Sequence, residues 1–268
     1  MAEQDDVTAE MPLVGGRSTV TRHGGIVFRA AAPWSKTTVA LLRHLEAEGF
    51  EHAPRVIGEG FDAAGREMLT FVEGESPHPY PWKDEALPMV GAMLRKLHRA
   101  SATFRAPADA SWRPWFGRRL GEPGTIGHCD TGAWNIIARD GVPVALIDWE
   151  EAGPVDPLVE LAQAAWLNAL LFDDDLSEKL GLGSVEARGK QVRLLLDGYE
   201  LSAAQRAGFM DRVRDFAVLN AANEISSNPE LQSSDPAALL EAVIWRSRSA
   251  GWLVRNHATL DRIVAARL

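Results

Sequence analysis

The sequence predicts an α+β chain of two unequal lobes: a small antiparallel sheet carrying one helix, then a larger, mainly helical lobe with one β-hairpin set into it. Three observations lead there. Short β-rich runs separated by turn residues occupy the first part of the chain, the prolines Pro77, Pro79 and Pro81 break all periodicity, and helical spacing dominates the remainder except at residues 135–149.

Taken in order, Leu13 to Ala30 reads as a glycine-containing loop and two short strands. Thr19 to Arg22 and Ile26 to Arg29 flank His23-Gly24-Gly25, a composition suited to the positive dihedrals of a hairpin turn. Pro33-Trp34 ends the second strand. Ser35 is then placed to cap a helix whose apolar residues Val39, Leu42 and Leu45 share a face, with Gly49 as its stop. Arg55-Val56-Ile57 and the run Glu67 to Val72 predict two further strands around a polar loop with Asp62 and Gly65. The linker Glu73 to Pro81 separates a lobe of residues 1–75 from one of residues 76–268. In the second lobe Val90, Met93, Leu94 and Leu97 form an apolar helical face, and the chain from Leu158 onward is helical. Asp140-Gly141 is a two-residue hairpin turn between β-rich runs.

Bulk properties narrow the classes. At 46% hydrophobic and 24% charged over 268 residues, the chain can bury a sizeable core and is neither disordered nor membrane-embedded. A formal net charge of -9 argues against nucleic acid as a partner, because that binding needs a basic field. The single cysteine, Cys129, excludes an intrachain disulfide and a cysteine-based zinc site, and it suits a reducing cytoplasm. The acidic start MAEQDDVTAE lacks the apolar core of a signal peptide, and the densest apolar run, Leu161 to Phe172, is too short to span a bilayer. A soluble, cytoplasmic protein is therefore expected. With no GxxxxGK[ST] loop, a P-loop enzyme is excluded.

Chemistry concentrates in residues 126–162. His128-x-Asp130 is followed by Asn135, five residues beyond Asp130, and by Asp148 on the far side of the hairpin. Phosphoryl transfer needs a group that orients the acceptor hydroxyl and takes its proton, and oxygen ligands that hold a divalent cation against the phosphates. Asp130, Asn135 and Asp148 can supply both. A tight hairpin brings its two ends together, so Asn135 and Asp148 should lie side by side, as two ligands of one ion must.

This order, H-x-D-x-x-x-x-N, a hairpin, then I-D-W, resembles the catalytic and metal-binding loops of the protein-kinase-like fold in the version shared by aminoglycoside phosphotransferases, choline kinases and homoserine kinases. Glu160-Leu161-Ala162 is similar to the acidic-Leu-Ala segment found next in that family. The resemblance covers almost the whole chain in element order and is specific in residues 126–162. It implies a small-molecule kinase that moves the γ-phosphoryl group of ATP or GTP, with Mg²⁺, directly onto a hydroxyl of an antibiotic or metabolite. Asp130 is implied as the base, Asn135 and Asp148 as Mg²⁺ ligands, and His128 as a buried organiser of the loop. In the first lobe the resemblance implies Gly15-Gly16-Arg17-Ser18-Thr19 as the loop over the phosphates, with Ser18 at the nucleotide. It also implies Thr70 to Val72 as a hinge that bonds the base through its backbone.

Two positions depart from the family pattern. Arg29 stands where a phosphate-holding lysine is usual, and the next helix carries Val39 near the position of that lysine's glutamate partner. This motivates an alternative, a catalytically silent nucleotide-binding relative. Cys129 replaces a usual glycine and reads as a small loop residue, its thiol raised by the charge of Asp130. Asp173-Asp174-Asp175 reads as an amine-binding edge of the acceptor site or as a solvated helix start. Trp112, Trp115 and Trp134 are candidates for stacking on a substrate ring or for packing, and the remaining histidines read as surface or packing residues.

Overall fold

A computed structural model describes residues 10–13, 20–226 and 236–266. The first lobe is an antiparallel sheet with one helix laid against it. Its strands are β1 (Met11–Leu13), β2 (Val20–His23), β3 (Ile26–Arg29), β4 (Val56–Phe61) and β5 (Glu67–Thr70), ordered β1-β2-β3-β5-β4, and helix α1 (Ser35–Ala47) lies between β3 and β4 in the chain. β1 precedes the first expected strand and overlaps the expected loop only at Leu13. It is three residues long and carries Pro12, which lacks an N–H and is tolerated at a sheet edge. Ser35 lies inside the first turn of α1 and does not cap it. Its Oγ accepts from the Ala32 N–H at 2.8 Å, closing the turn that leads into the helix. At the other end the Phe50 N–H reaches the Leu45 carbonyl at 2.8 Å, past Gly49 in the left-handed region.

The inner face of α1 is apolar: Val39, Leu42 and Leu45 are buried, and Val39 packs against Gly60 of β4. β4 pairs with β5 through an irregular register, Val56 opposite Leu69 and Phe61 opposite Glu67. Across the other edge of β5, Arg29 stands directly opposite Glu67.

The chain enters the second lobe tied to it. Glu75 forms a two-way backbone bridge with Ala138, at 3.0 and 2.8 Å, and the Ser76 hydroxyl donates to the Ala133 carbonyl. Helix α2 (Leu87–Ser101) buries Val90, Met93, Leu94 and Leu97 as its spacing predicts. The hairpin is strands β7 (Ile136–Arg139) and β8 (Val142–Leu146), and its turn residues Asp140 and Gly141 both have positive φ, 53° and 78°. That is the geometry in which a two-residue turn matches strand twist. A second pair, β6 (Thr125–Gly127) with β9 (Gly153–Val155), has three-residue strands too short to show a period, and it brackets residues 128–152.

Helices α3 (Pro157–Asn168), α4 (Asp174–Leu180), α5 (Val185–Tyr199), α6 (Ala203–Arg206), α7 (Phe209–Ser226) and α8 (Pro236–Ala265) complete the lobe. α2 and α5 cross so closely that a Cβ on Gly198 would lie 1.9 Å from the Pro88 carbonyl oxygen, which only glycine permits. α3 is buried from Val159 to Asn168, so its polar residues Glu160, Gln163 and Asn168 must find partners inside the protein. They find them in the loop of residues 128–135. Among the described residues no helix is long and apolar enough to cross a membrane.

Candidate active site

Between the lobes lies a cleft of about 1410 Å³ whose walls include Arg29, Val72, Asp130, Asn135, Asp148 and Asn223. The loop at its floor, residues 128–135, is held from below. The buried Glu160 carboxylate accepts from the Cys129 N–H at 2.6 Å and contacts His98 Nε2 at 2.5 Å, and His98 Nδ1 contacts the Tyr199 hydroxyl at 2.7 Å. Burial works against ionisation of Glu160, but the hydrogen bond and charge of His98, with the Cys129 N–H, outweigh it and hold Glu160 below the usual carboxylate range. Gln163 accepts from the Thr131 N–H and donates to the Cys129 carbonyl, while Asn168 donates to the Thr131 carbonyl. These contacts hold Cys129 at φ 64°, a left-handed value unfavourable for a residue with a Cβ. Its thiol is pushed well up by burial and then by the charge of Glu160; the expected source, Asp130, is not the neighbour responsible.

His128 is fully buried. The Asp130 N–H donates to its Nδ1, which leaves the proton on Nε2, and Nε2 donates to the Ile147 carbonyl at 2.8 Å. The ring therefore ties the Asp130 loop to the strand that ends at Asp148. Asn135 Nδ2 donates to Asp130 Oδ2 at 2.7 Å and to the Asp130 carbonyl at 3.0 Å, and the Trp134 indole N–H makes a longer bond, 3.4 Å, to the same Oδ2. Asp130 Oδ1 and Asn135 Oδ1 make no hydrogen bond among the described residues. Burial raises the Asp130 carboxyl and the charge of Asp148 adds to this, against the lowering effects of His128, Trp134 and Asn135.

The hairpin carries Asp148 to the side of Asn135. The Ile147 N–H donates to the Asn135 carbonyl at 2.9 Å, and Asp148 comes next in the left-handed region, φ 60°, which turns its carboxylate into the cleft. Arg29 meets it there. Arg29 Nη1 lies 2.7 Å from Asp148 Oδ1 and 2.9 Å from Glu150 Oε1, while Nε and Nη2 hold Glu67 Oε2 at 3.2 and 2.9 Å. Burial disfavours the guanidinium charge, but Glu67, Asp148 and Glu150 outweigh it and the group stays cationic. The carboxylate partner sought on the helix at Val39 thus comes from the neighbouring strand.

At the hinge, Thr70 Oγ1 accepts from the Arg55 N–H and the Phe71 N–H bonds the Gly25 carbonyl, while the Val72 N–H has no partner among the described residues. Ser18, with Gly15, Gly16, Arg17 and Thr19, lies outside the described residues. The structure therefore brings Arg29, Thr70, Val72, Asp130, Asn135 and Asp148 to one cleft.

Residues 108–200 match the family model described as the phosphotransferase enzyme family. Over 252 residues the chain is 56% identical to the trifolitoxin immunity protein of Rhizobium leguminosarum bv. trifolii, spanning 94% of this chain and 97% of that protein. The chain belongs to the phosphotransferase enzyme family. Its protein-kinase-like fold is shared with a microcompartment-associated aminopropanol kinase (TM-score 0.65, 13% identity, 94% of this chain and 93% of that one). It is shared too with an amicoumacin kinase in complex with AMP-PNP, Ca²⁺ and Ami (TM-score 0.63, 12% identity, 90% and 88%).

Several groups at this cleft escaped sequence reasoning. Glu67, Glu150, Glu151 and Arg113 sit far apart in the chain or outside any motif, and only the fold unites them. Buried polar residues on the otherwise apolar α3 were the one signal for Gln163 and Asn168. Asp173-Asp174-Asp175 does not line the cleft: Asp173 caps α4, Asp173 and Asp175 pair with Arg248, and Asp174 accepts from the Trp252 indole. The run is a helix start neutralised by α8. Trp115 and Trp134 line the cleft, whereas Trp112 packs edge-on against Phe104.

Glu151 is the unusual acid of the site. Burial pushes its carboxyl up to about 7; Asp130 adds to this and Arg113, 3.2 Å away, opposes it. Because the folded chain binds this proton more tightly than the unfolded one, the Glu151 contribution to stability is full below the ordinary value of 4.5 and gone once pH has risen through about 7. A carboxyl ¹³C titration should find its midpoint near 7 and see it fall in Asp130→Asn, where the like charge is gone. An ordinary midpoint, or one indifferent to Asp130, would contradict this geometry.

Proposed function

We propose that the protein is a small-molecule kinase that transfers the γ-phosphoryl group of ATP or GTP to a hydroxyl of an antibiotic-type acceptor in this cleft. Residues 1–75 form the nucleotide-binding lobe and residues 76–268 the catalytic and acceptor-binding lobe, working in the cytoplasm. The observation that carries the reading is the bonding at Asp130. Asn135 and Trp134 occupy its Oδ2, so Oδ1 is left to take the proton of an acceptor hydroxyl. The acceptor oxygen then forms its bond to the γ-phosphorus as the bond to the bridging oxygen breaks, and the nucleoside diphosphate leaves.

The same bonding supports the metal assignment. With its Nδ2 committed to Asp130, Asn135 has only a neutral oxygen, Oδ1, to offer, and beside it the Asp148 carboxylate holds a cationic group, Arg29 Nη1. A hard oxygen pair with an appetite for positive charge fits Mg²⁺, which takes its remaining ligands from phosphates and water. When bound, the ion would neutralise charge on the phosphate oxygens. Arg29 anchors the α or β phosphate, and the hinge from Thr70 to Val72 bonds the base through its backbone, the Val72 N–H being without a partner among the described residues.

The acceptor class rests on the relative named for immunity to trifolitoxin, since phosphorylating a toxin's hydroxyl is one route to immunity. The acid run at 173–175, already paired with arginine, gives no support to an amine-rich acceptor. Calorimetry with ATP and GTP, with and without Mg²⁺, followed by nucleoside diphosphate release across a panel of hydroxyl compounds that includes trifolitoxin, tests the reading. Mg²⁺-dependent nucleotide binding and release stimulated by one panel member are expected; nucleotide binding without any stimulated release would favour the silent relative.

A further inference from the structure

We propose that Glu67 is the positioning residue of the phosphate anchor, so that the ion pair aiming the anchor lies across the β3–β5 ladder and not between a strand and the helix. The proposal rests on the nucleotide-binding reading and adds a residue to it. Arg29 and Glu67 are directly opposed in the antiparallel register, and neighbours of that kind present their side chains on one face of a sheet. Both are buried: their side chains are 10% and 3% exposed. A carboxylate so enclosed is costly unless a cation meets it, and Arg29 meets it with two donors, Nε and Nη2.

The guanidinium divides its donors between two tasks. Glu67 takes the Nε/Nη2 edge, which fixes the plane of the fork and leaves Nη1 pointing across the cleft at Asp148 and Glu150. The edge a phosphate would meet is therefore set by Glu67. Helix α1 cannot do this. Its inner face is Val39, Leu42 and Leu45, and its acid Glu46, in the last turn, pairs with Arg55. A lysine in place of Arg29 would also find a carboxylate across the ladder, so Lys should keep part of the anchor's effect as long as Glu67 is present.

Calorimetric titration of Mg·ATP and Mg·GTP into wild type, Arg29→Ala, Arg29→Lys, Glu67→Gln and the double variant Arg29→Lys/Glu67→Gln decides the matter. Arg29→Ala should bind about 10–100-fold more weakly, and Arg29→Lys should recover part of that loss while Glu67 is present. Glu67→Gln should weaken binding about tenfold with Arg29 still in place, and the double variant should fall to the Arg29→Ala level. A merely structural Glu67 would lower the melting temperature and leave the affinity of the folded protein unchanged. If Glu67→Gln does not fold, Glu67→Asp, which keeps the charge but withdraws it by one methylene, should still weaken binding severalfold. Wild-type affinity in the folded Glu67 variants, or an Arg29→Lys loss that is the same with and without Glu67, overturns this proposal alone. A wild-type protein that binds neither nucleotide overturns the nucleotide reading and this proposal with it.

Discussion

Asp130→Asn is expected to lower phosphoryl transfer by about 10²–10⁴-fold while leaving nucleotide affinity within about twofold of wild type. The substitution keeps the side chain's shape and an oxygen for the Asn135 amide and the Trp134 indole, so the loop should hold its form. The loss should be confined to Oδ1, the oxygen proposed to take the acceptor's proton. Asp130 is well suited to that task, because burial and the nearby Asp148 raise its carboxyl and make it a stronger base than an exposed aspartate. Steady-state turnover and calorimetry on the same preparation measure both halves of the expectation. Turnover within a few-fold of wild type would remove Asp130 from the reaction, and a parallel loss of nucleotide affinity would show that it acts on the donor.

Asp148→Ala is expected to abolish the Mg²⁺-dependent part of nucleotide binding, about a 10²-fold loss at saturating Mg²⁺, because Asn135 is neutral and cannot balance the ion's charge alone. The structure adds a second half to this prediction. Asp148 holds Nη1 of Arg29, so its removal frees that donor for a phosphate oxygen. Affinity measured in EDTA should therefore rise. Unchanged Mg²⁺ dependence would exclude Asp148 as a ligand, and an EDTA affinity that falls in the variant would mean that Asp148 positions Arg29 more than it competes for it.

Most of the fold could be read from local pattern. The Asp140-Gly141 turn between apolar runs and the α2 face each depend on neighbouring residues, and each appears where its pattern places it. β1, β6 and β9 do not show in the sequence, since three residues cannot display a period. The cluster at Asp130, Asn135 and Asp148 was legible because the hairpin's two ends must meet. The environment of Arg29 was not. Its opposition to Glu67 depends on how β5 pairs with β3, a long-range register that no local pattern announces, and the two residues are 38 positions apart. The acid run at 173–175 misled for the same reason, its charges being answered from α8.

One measurement bears most directly on the central claim that this cleft moves a γ-phosphoryl group to an acceptor hydroxyl. The protein, Mg²⁺ and γ-labelled ATP or GTP are incubated with trifolitoxin, and the products are separated and identified by mass. The account predicts label on the toxin, at a hydroxyl oxygen, with wild type and essentially none with Asp130→Asn. Label released only as inorganic phosphate, or equal labelling by the variant, would contradict it.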